Sequence, residues 1–563
     1  MSRKIGLAAA LLAAALLAAC GKSPEQAHDA APLAFVPADT PYVYANIDPM
    51  PAAVTDQWSK KMQAYWPIVF GMYDRMLTDS KHIDDRSRRI ATALIDEIKT
   101  RDNWDKLREL GFKPDMRLAA YGVGLVPVLR VELGDPDKFR ATIARIETKI
   151  GEKIPVGKTG SQEYWRLGNE QLAVLLAIEG KHLVATFAPT NASDPLKQQL
   201  LGLTAPAQTL EQSGALQAIA KQYKYTNYGT GYVDFERVTE RIATPGGSDQ
   251  EFAAALGATL PGTEPACKTE YLQIAHKFPR IVVGSEELTA QRVRIGAQAE
   301  IEPALAQQIL AATGPAPGTG APGDGVMDVS VALPLLKLRD FWVHQAEAVQ
   351  AAPFACPALA QLNTSFRESK QKLDTTLPPP FSDLTGARFV LTRIELAGTM
   401  GAMPDVSGKL LLGSTNPTVA LAMAQLALPQ LKDLKLAADG KPVAIPKDAL
   451  PPQVPALFAA MSDKAIALSA GAGEEATLTA FLNAPAAANP VFARIAFSGK
   501  FYSLLANAMD KAGASLPPEQ RAHLDEQKQL FALYERWLKS GEMDFSANAA
   551  GISFEEVVEM NAD

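Results

Sequence analysis

Apolar and polar residues alternate along this chain in short runs, and the runs come as strand–turn–strand pairs followed by helices. RLAAYG from Arg117, a turn and VPVLRVEL predict one hairpin, and Asp135-Pro136 then predicts a capped start for the helix DKFRATIARI. From Arg388 the same order returns: RFVLTRIELAG, a longer loop, VSGKLLLGS, and Asn416-Pro417 opening TVALAMAQLAL. QLAVLLAIEGKHLVATFA from Gln171 matches VPALFAAMSDKAIALSAG from Val454, with Lys181 opposite Lys464 in the turns. Each pair is followed by a short helix, DPLKQQLLG or EATLTAFLN. A strand with its helix comes next (GYVDFERVTERI, AFSGKFYSLLANAM), then another helix (CKTEYLQIAHKF, EQKQLFALYERWLK) and a last hairpin (IVVGSEELTAQRVRIGAQAEI, MDFSANAAGISFEEVVEM). The beginnings correspond as well, PYVYANID with VMDVSVAL.

The matches keep their order at separations of roughly 270 to 280 residues, which predicts a duplicated architecture. The fold class expected is α+β with mainly antiparallel sheet, as two tandem, internally similar modules over 35–310 and 326–563. Between them, residues 311–325 include GPAPGTGAPGDG, whose glycine and proline content predicts a flexible connector. Arg117 and Arg388 are expected at matching places in the two copies.

The N-terminus is patterned differently. Arg3 and Lys4 precede an apolar run from Ile5 to Leu17, too short for a spanning helix of ~20 residues and suited to a secretory signal. It ends in Leu17-Ala18-Ala19-Cys20, which resembles the lipobox of bacterial lipoproteins. The expectation is a signal peptide over 1–19, a lipid on Cys20 and a short polar tether over 20–34. Gly21, where an Asp would favour the inner membrane of enteric bacteria, directs the expected location to the outer membrane, facing the periplasm.

Charge and cysteine count sharpen this picture. The formal charge is −7, or −9 once Arg3 and Lys4 are removed, and no basic run occurs, which argues against nucleic acid as a partner. Apart from Cys20 there are two cysteines, Cys267 and Cys356, and two thiols in an exported chain predict one disulfide, here a staple between the modules.

Motifs for chemistry are absent. No H-E-x-x-H, P-loop, C-x-x-C or G-x-S-x-G occurs, so no metal, cofactor or catalytic residue is expected. His82 with Asp84 and Asp85 reads as a solvated face, and Ser369 with Lys372 as a charged helix face. One helical stripe has unusual aromatic weight: Trp58, Met62, Tyr65, Trp66, Phe70 and Tyr73. Its plainer reading is the core face of the first helix. Its sharper reading is a groove for an acyl chain or partner helix.

With the lipobox, the opening FVPADTPYVYANIDPMP and the segment HKFPRIVVGSEEL, the chain resembles a family of proteobacterial lipoproteins defined as a domain of unknown function. The resemblance implies an envelope address and carries over no activity or site residue. The expected function is a non-enzymatic binding or scaffold protein of the cell envelope, held to the membrane by its N-terminal lipid and contacting an envelope protein or an apolar ligand. The alternatives are a carrier or sensor of a lipid, and an enzyme with an unfamiliar site.

Overall fold

Runs rich in Val, Leu, Ile and Ala pair antiparallel in the computed structural model, which gives an α+β protein. The structure describes residues 31–79, 85–168, 171–257, 264–395, 405–447, 450, 455–513 and 518–562. Cys20, His82 and Asp84 lie outside the described residues. The chain divides into two units, Met1–Ile295 and Gly296–Asp563.

In the first unit, β1 (Tyr42–Ala45), β2 (Leu118–Val123), β3 (Val126–Glu132), β4 (Val156–Thr159), β5 (Gln162–Gly168), β6 (Leu172–Glu179), β7 (His182–Pro189), β8 (Thr230–Asp234) and β9 (Arg280–Leu288) form one sheet. Its order is β4-β5-β6-β7-β3-β2-β1-β8-β9. β10 (Arg292–Glu300) pairs with β9 and carries the unit boundary.

Period-two alternation sends the two faces of this sheet into different cores. Ala119, Tyr121 and Val123 of β2 join Leu196 and Leu200 of α5 (Asp194–Leu201) and Leu216 and Ile219 of α7 (Ala215–Tyr223). Leu118 joins the cluster under α1 (Ala52–Asp79), α2 (Asp85–Lys99) and α3 (Trp104–Leu107). α4 (Pro136–Ile150) starts as its sequence predicts: Asp135 Oδ1 accepts from the backbone of Asp137 and Lys138 at 3.0 and 3.1 Å. The unit also holds α6 (Leu210–Ser213), α8 (Phe235–Ala243), α9 (Gly247–Ala255) and α10 (Pro265–Lys277). The tether expected to reach residue 34 ends earlier. Pro32–Phe35 is a single 3-10 turn with Leu33 in the core, because apolar side chains here gain more from burial than a tether gains from freedom.

The second unit holds β11 (Met327–Ala332), β12 (Leu384–Glu395), β13 (Asp405–Ser414), β14 (Val443–Ala444), β15 (Leu457–Met461), β16 (Ala465–Ala470), β17 (Val491–Ser498), β18 (Leu538–Asn548) and β19 (Gly551–Met560). Its order is β14-β15-β16-β13-β12-β11-β17-β18-β19. The helices are α11 (Pro303–Ala312), α12 (Leu335–Ala351), α13 (Ala360–Leu373), α14 (Pro417–Ala427), α15 (Leu478–Leu482), α16 (Lys500–Gly513) and α17 (Pro518–Trp537). Leu478, Phe481 and Leu482 close a core with Val390, Leu411 and Ala467.

Two boundary expectations change. α11, expected in the first module, packs Leu305 and Ala306 against Phe341 and Ile552 of the second unit. The expected flexible connector is a fitted strap. Ala316 donates to Val491 O at 2.7 Å, Gly320 to Pro485 O at 2.8 Å and Val326 to Leu391 O at 2.7 Å. Its glycines answer a spatial demand: a Cβ at Gly318 (φ +71°) would lie 2.1 Å from Arg388 Nη1, and one at Gly323 would lie 2.2 Å from Ala496 Cβ. Composition reports glycine without reporting why it is needed.

Candidate binding surface

The ladder registers of the second unit sort its sheet into rows. One row reads Leu468, Leu410, Phe389, Val329, Ile495 and Met543 across six strands. Two positions along on the same face the row is Ile466, Leu412, Ala387, Val331, Ala493 and Phe545. Both are wholly apolar, and none of their twelve members is buried; Phe389 is 38% and Leu412 is 42% exposed. Phe389, Leu412 and Ile495 are exposed, and the other nine members are half-buried.

The opposite face is shielded and charged. Its rows are Ser469, Lys409, Val390, Asp328, Ala496, Glu542 and Ala467, Leu411, Arg388, Ser330, Arg494, Asp544. Arg388 Nε and Nη2 donate to Asp328 Oδ1 and Oδ2 at 3.1 and 2.7 Å, and the guanidinium lies 5.0 Å over the Phe481 ring. Arg494 holds Asp544 through two 2.6 Å bonds, and Lys409 Nζ reaches Glu474 at 2.6 Å. The strap completes the network: Asp324 N donates to Asp328, Gly323 N to Glu542, and Ala321 O accepts from Arg494. Burial, with Asp544 and Asp328 close by, pushes the Glu542 carboxyl above its usual range, against the pull of Arg494 and the Gly323 N–H.

This arrangement departs from the usual partition. Partly exposed apolar rows face outward, while the inner face joins the core of Val390, Leu411 and Ala467 to ions satisfied pairwise and by backbone. Contiguous exposed apolar surface of this kind marks a contact site.

The first unit treats the aromatic stripe otherwise. Met62, Trp66 and Phe70 are buried, with Tyr73 packed against them, and Trp66 Nε1 donates to Ile98 O at 3.0 Å. Tyr65 is half-buried, and Trp58 alone of the six is exposed, at 38%. The stripe expected as a candidate apolar face is therefore mainly core, because Leu118, Leu129 and Val131 of the sheet present a matching apolar surface beneath it. Cys267 and Cys356 are disulfide-bonded. Ser369 and Lys372 lie exposed on α13. Among the described residues no group of three or more His, Cys, Asp or Glu could hold a metal ion, and no helix is long and apolar enough to cross a membrane. A cleft of about 460 Å³ in the first unit is lined largely by polar groups, including Asp56, Gln63, Asn103 and Arg108.

Sequence reasoning missed both the open rows and the enclosed ions. The signal was present in MDVSVA, GARFVLT and VFARIAFS, which alternate apolar with charged or small residues. Alternation distinguishes two faces but does not say which one is shielded.

One buried charge in the first unit has a measurable consequence. Arg130 Nη1 lies 2.7 Å from Glu179 and 3.2 Å from His182 Nδ1, Nη2 donates to Leu201 O at 2.8 Å, and Phe35 stacks 3.7 Å from the guanidinium. Burial and then Arg130 lower the His182 pKa to about 4, against Glu132 and Glu179. Neutral imidazole is thus favoured in the folded state, so the unfolded chain takes up the proton first as pH falls below ~6.5. Stability should fall by about 3 kcal/mol between pH 7 and pH 4 from this group alone. In urea titrations at both pH values, His182→Gln should remove that part of the acid sensitivity; an unchanged difference would contradict it.

No family model, curated protein or solved structure matches this chain.

Proposed function

We propose that this chain is a lipid-anchored protein of the cell envelope that works by binding rather than by catalysis. The open sheet face of the second unit is its contact surface, and an acyl chain or similar apolar ligand is its occupant. The observation that carries this reading is the pair of apolar rows through Phe389 and Leu412, left open while ions are enclosed behind them. Burial of exposed apolar surface supplies about 25 cal/mol per Å², so a few filled rows suffice for capture. Lipidation at Cys20, motivated by Leu17-Ala18-Ala19-Cys20, confines the protein to a surface and raises its local concentration there.

Internal duplication belongs to the same proposal. The strand order β5-β6-β7-β3-β2-β1-β8-β9 of the first unit has a counterpart, strand for strand, in β14-β15-β16-β13-β12-β11-β17-β18. Aligning Asp135-Pro136 with Asn416-Pro417 and following the ladders brings Lys181 to Lys464, but it brings Ala119, not Arg117, to Arg388. Along the same ladders, Val43, Ala119, Val128 and Thr230 stand where the second unit has Asp328, Arg388, Lys409 and Arg494. The first copy covers its outer face with helices and encloses Arg130 among the apolar residues of its inner face. The second copy encloses more charge at the matching inner positions and leaves its outer rows partly exposed, which suits a division of labour between support and contact.

The test uses a fluorescent long-chain fatty acid and the mature chain. Phe389→Asp with Ile495→Asp, both at exposed positions, should weaken capture at least about tenfold without lowering the melting temperature. Equal capture would overturn the surface assignment, and chemical turnover of an envelope substrate would overturn the binding reading. Detergent-phase partitioning that persists in Cys20→Ser would remove the anchor.

A further inference from the structure

A second apolar surface in the second unit differs from the sheet face in kind. From Pro417 to Leu431 the sequence PTVALAMAQLALPQL contains no charged residue, and its helix α14 buries only Pro417. Leu426 is 77% exposed, Leu428 is 52% and Met423 is 41%. A helix with no charged residue on any side and large apolar side chains exposed ordinarily belongs in a core or in lipid. α4 shows what a core-packed helix of this fold looks like: Phe139, Ile143 and Ile146 are buried, and Asp137, Arg140, Arg145 and Lys149 share the rest of it.

The chain beside α14 has the opposite sign to the whole. Residues 417–448 contain Lys432, Lys435, Lys441 and Lys447 against Asp433, Asp439 and Asp448, four positive and three negative, a net +1 in a chain of formal charge −7. Positive charge flanking an exposed apolar helix is complementary to an anionic lipid surface, where lysines reach head-group phosphates and apolar side chains enter the acyl boundary.

We propose that α14 is an interfacial helix that lies in the surface of an anionic bilayer, with Met423, Leu426 and Leu428 entering the lipid. The contact is independent of the acyl-ligand reading of the sheet face and of the lipid on Cys20. It gives the chain a second hold on a membrane, and with it a fixed face toward that membrane.

Flotation with vesicles of phosphatidylethanolamine and phosphatidylglycerol tests the proposal, using the mature chain with Cys20→Ser so that no covalent lipid contributes. The chain should float, and it should bind vesicles of phosphatidylcholine alone less well. Met423→Glu with Leu426→Glu should reduce partitioning at least about tenfold. Both side chains are exposed, so the melting temperature should stay where it is, and fatty-acid capture at the sheet face should be unaffected. Absence of flotation on anionic vesicles, or equal flotation of the variant, would overturn the proposal; a helix reserved for a protein partner would give the first of these results.

Discussion

Asp328→Ala should destabilise the second unit by about 3 to 5 kcal/mol, because it leaves the Arg388 guanidinium enclosed without its carboxylate. Both side chains are almost fully shielded, and Asp328 also accepts from Asp324 N at 3.0 Å, so the variant frees one end of the strap as well. A domain is stable by only ~5 to 15 kcal/mol, so the loss approaches unfolding at moderate temperature. Urea denaturation followed by circular dichroism should show a much earlier transition for part of the signal. The double variant Asp328→Leu with Arg388→Met should recover most of the loss, since an apolar pair of similar volume removes the uncompensated ion. A single variant as stable as the parent would mean that the pair is not enclosed, and the charged inner face of this sheet would go with it.

The elements themselves were legible wherever local chemistry is decisive. Asp135-Pro136 and Asn416-Pro417 mark helix starts that the folded chain uses, with Asn416 accepting from Val419 N at 3.4 Å. The hairpins followed from alternation broken by turn residues, and the disulfide followed from two thiols in a chain read as exported. What was illegible depends on distant surroundings. Gly318 and Gly323 are glycines because Arg388 and Ala496 stand against them, a fact about residues far along the chain. Lys409 and Arg494 sit in strands of ordinary alternation, and only the enclosing carboxylates of Glu474 and Asp544 make them interior. Local pattern thus gives elements and periodicity, while the choice of inner face belongs to the assembled sheet.

The aromatic stripe of α1 admits a direct comparison of two tryptophans. Trp66→Ala should cost about 3 to 5 kcal/mol, whereas Trp58→Ala should cost less than about 1 kcal/mol. Trp66 is 4% exposed, lies edge-on to Phe70 at 5.0 Å between ring centroids, and shares a cluster with Met62, Leu77 and Trp104. Its removal opens a cavity of indole size and leaves Ile98 O without the Nε1 donor. Eight residues separate the two tryptophans, and at ~100° per residue they sit roughly 80° apart around the helix axis. A stripe that wide has one edge in the core and the other in solvent, which is why sequence spacing alone grouped them. Thermal and urea unfolding of the two variants measure the difference directly. Similar large losses would place Trp58 in the core as well. A negligible loss for Trp66→Ala would return the stripe to the status of an open groove and move the contact surface back to the first unit.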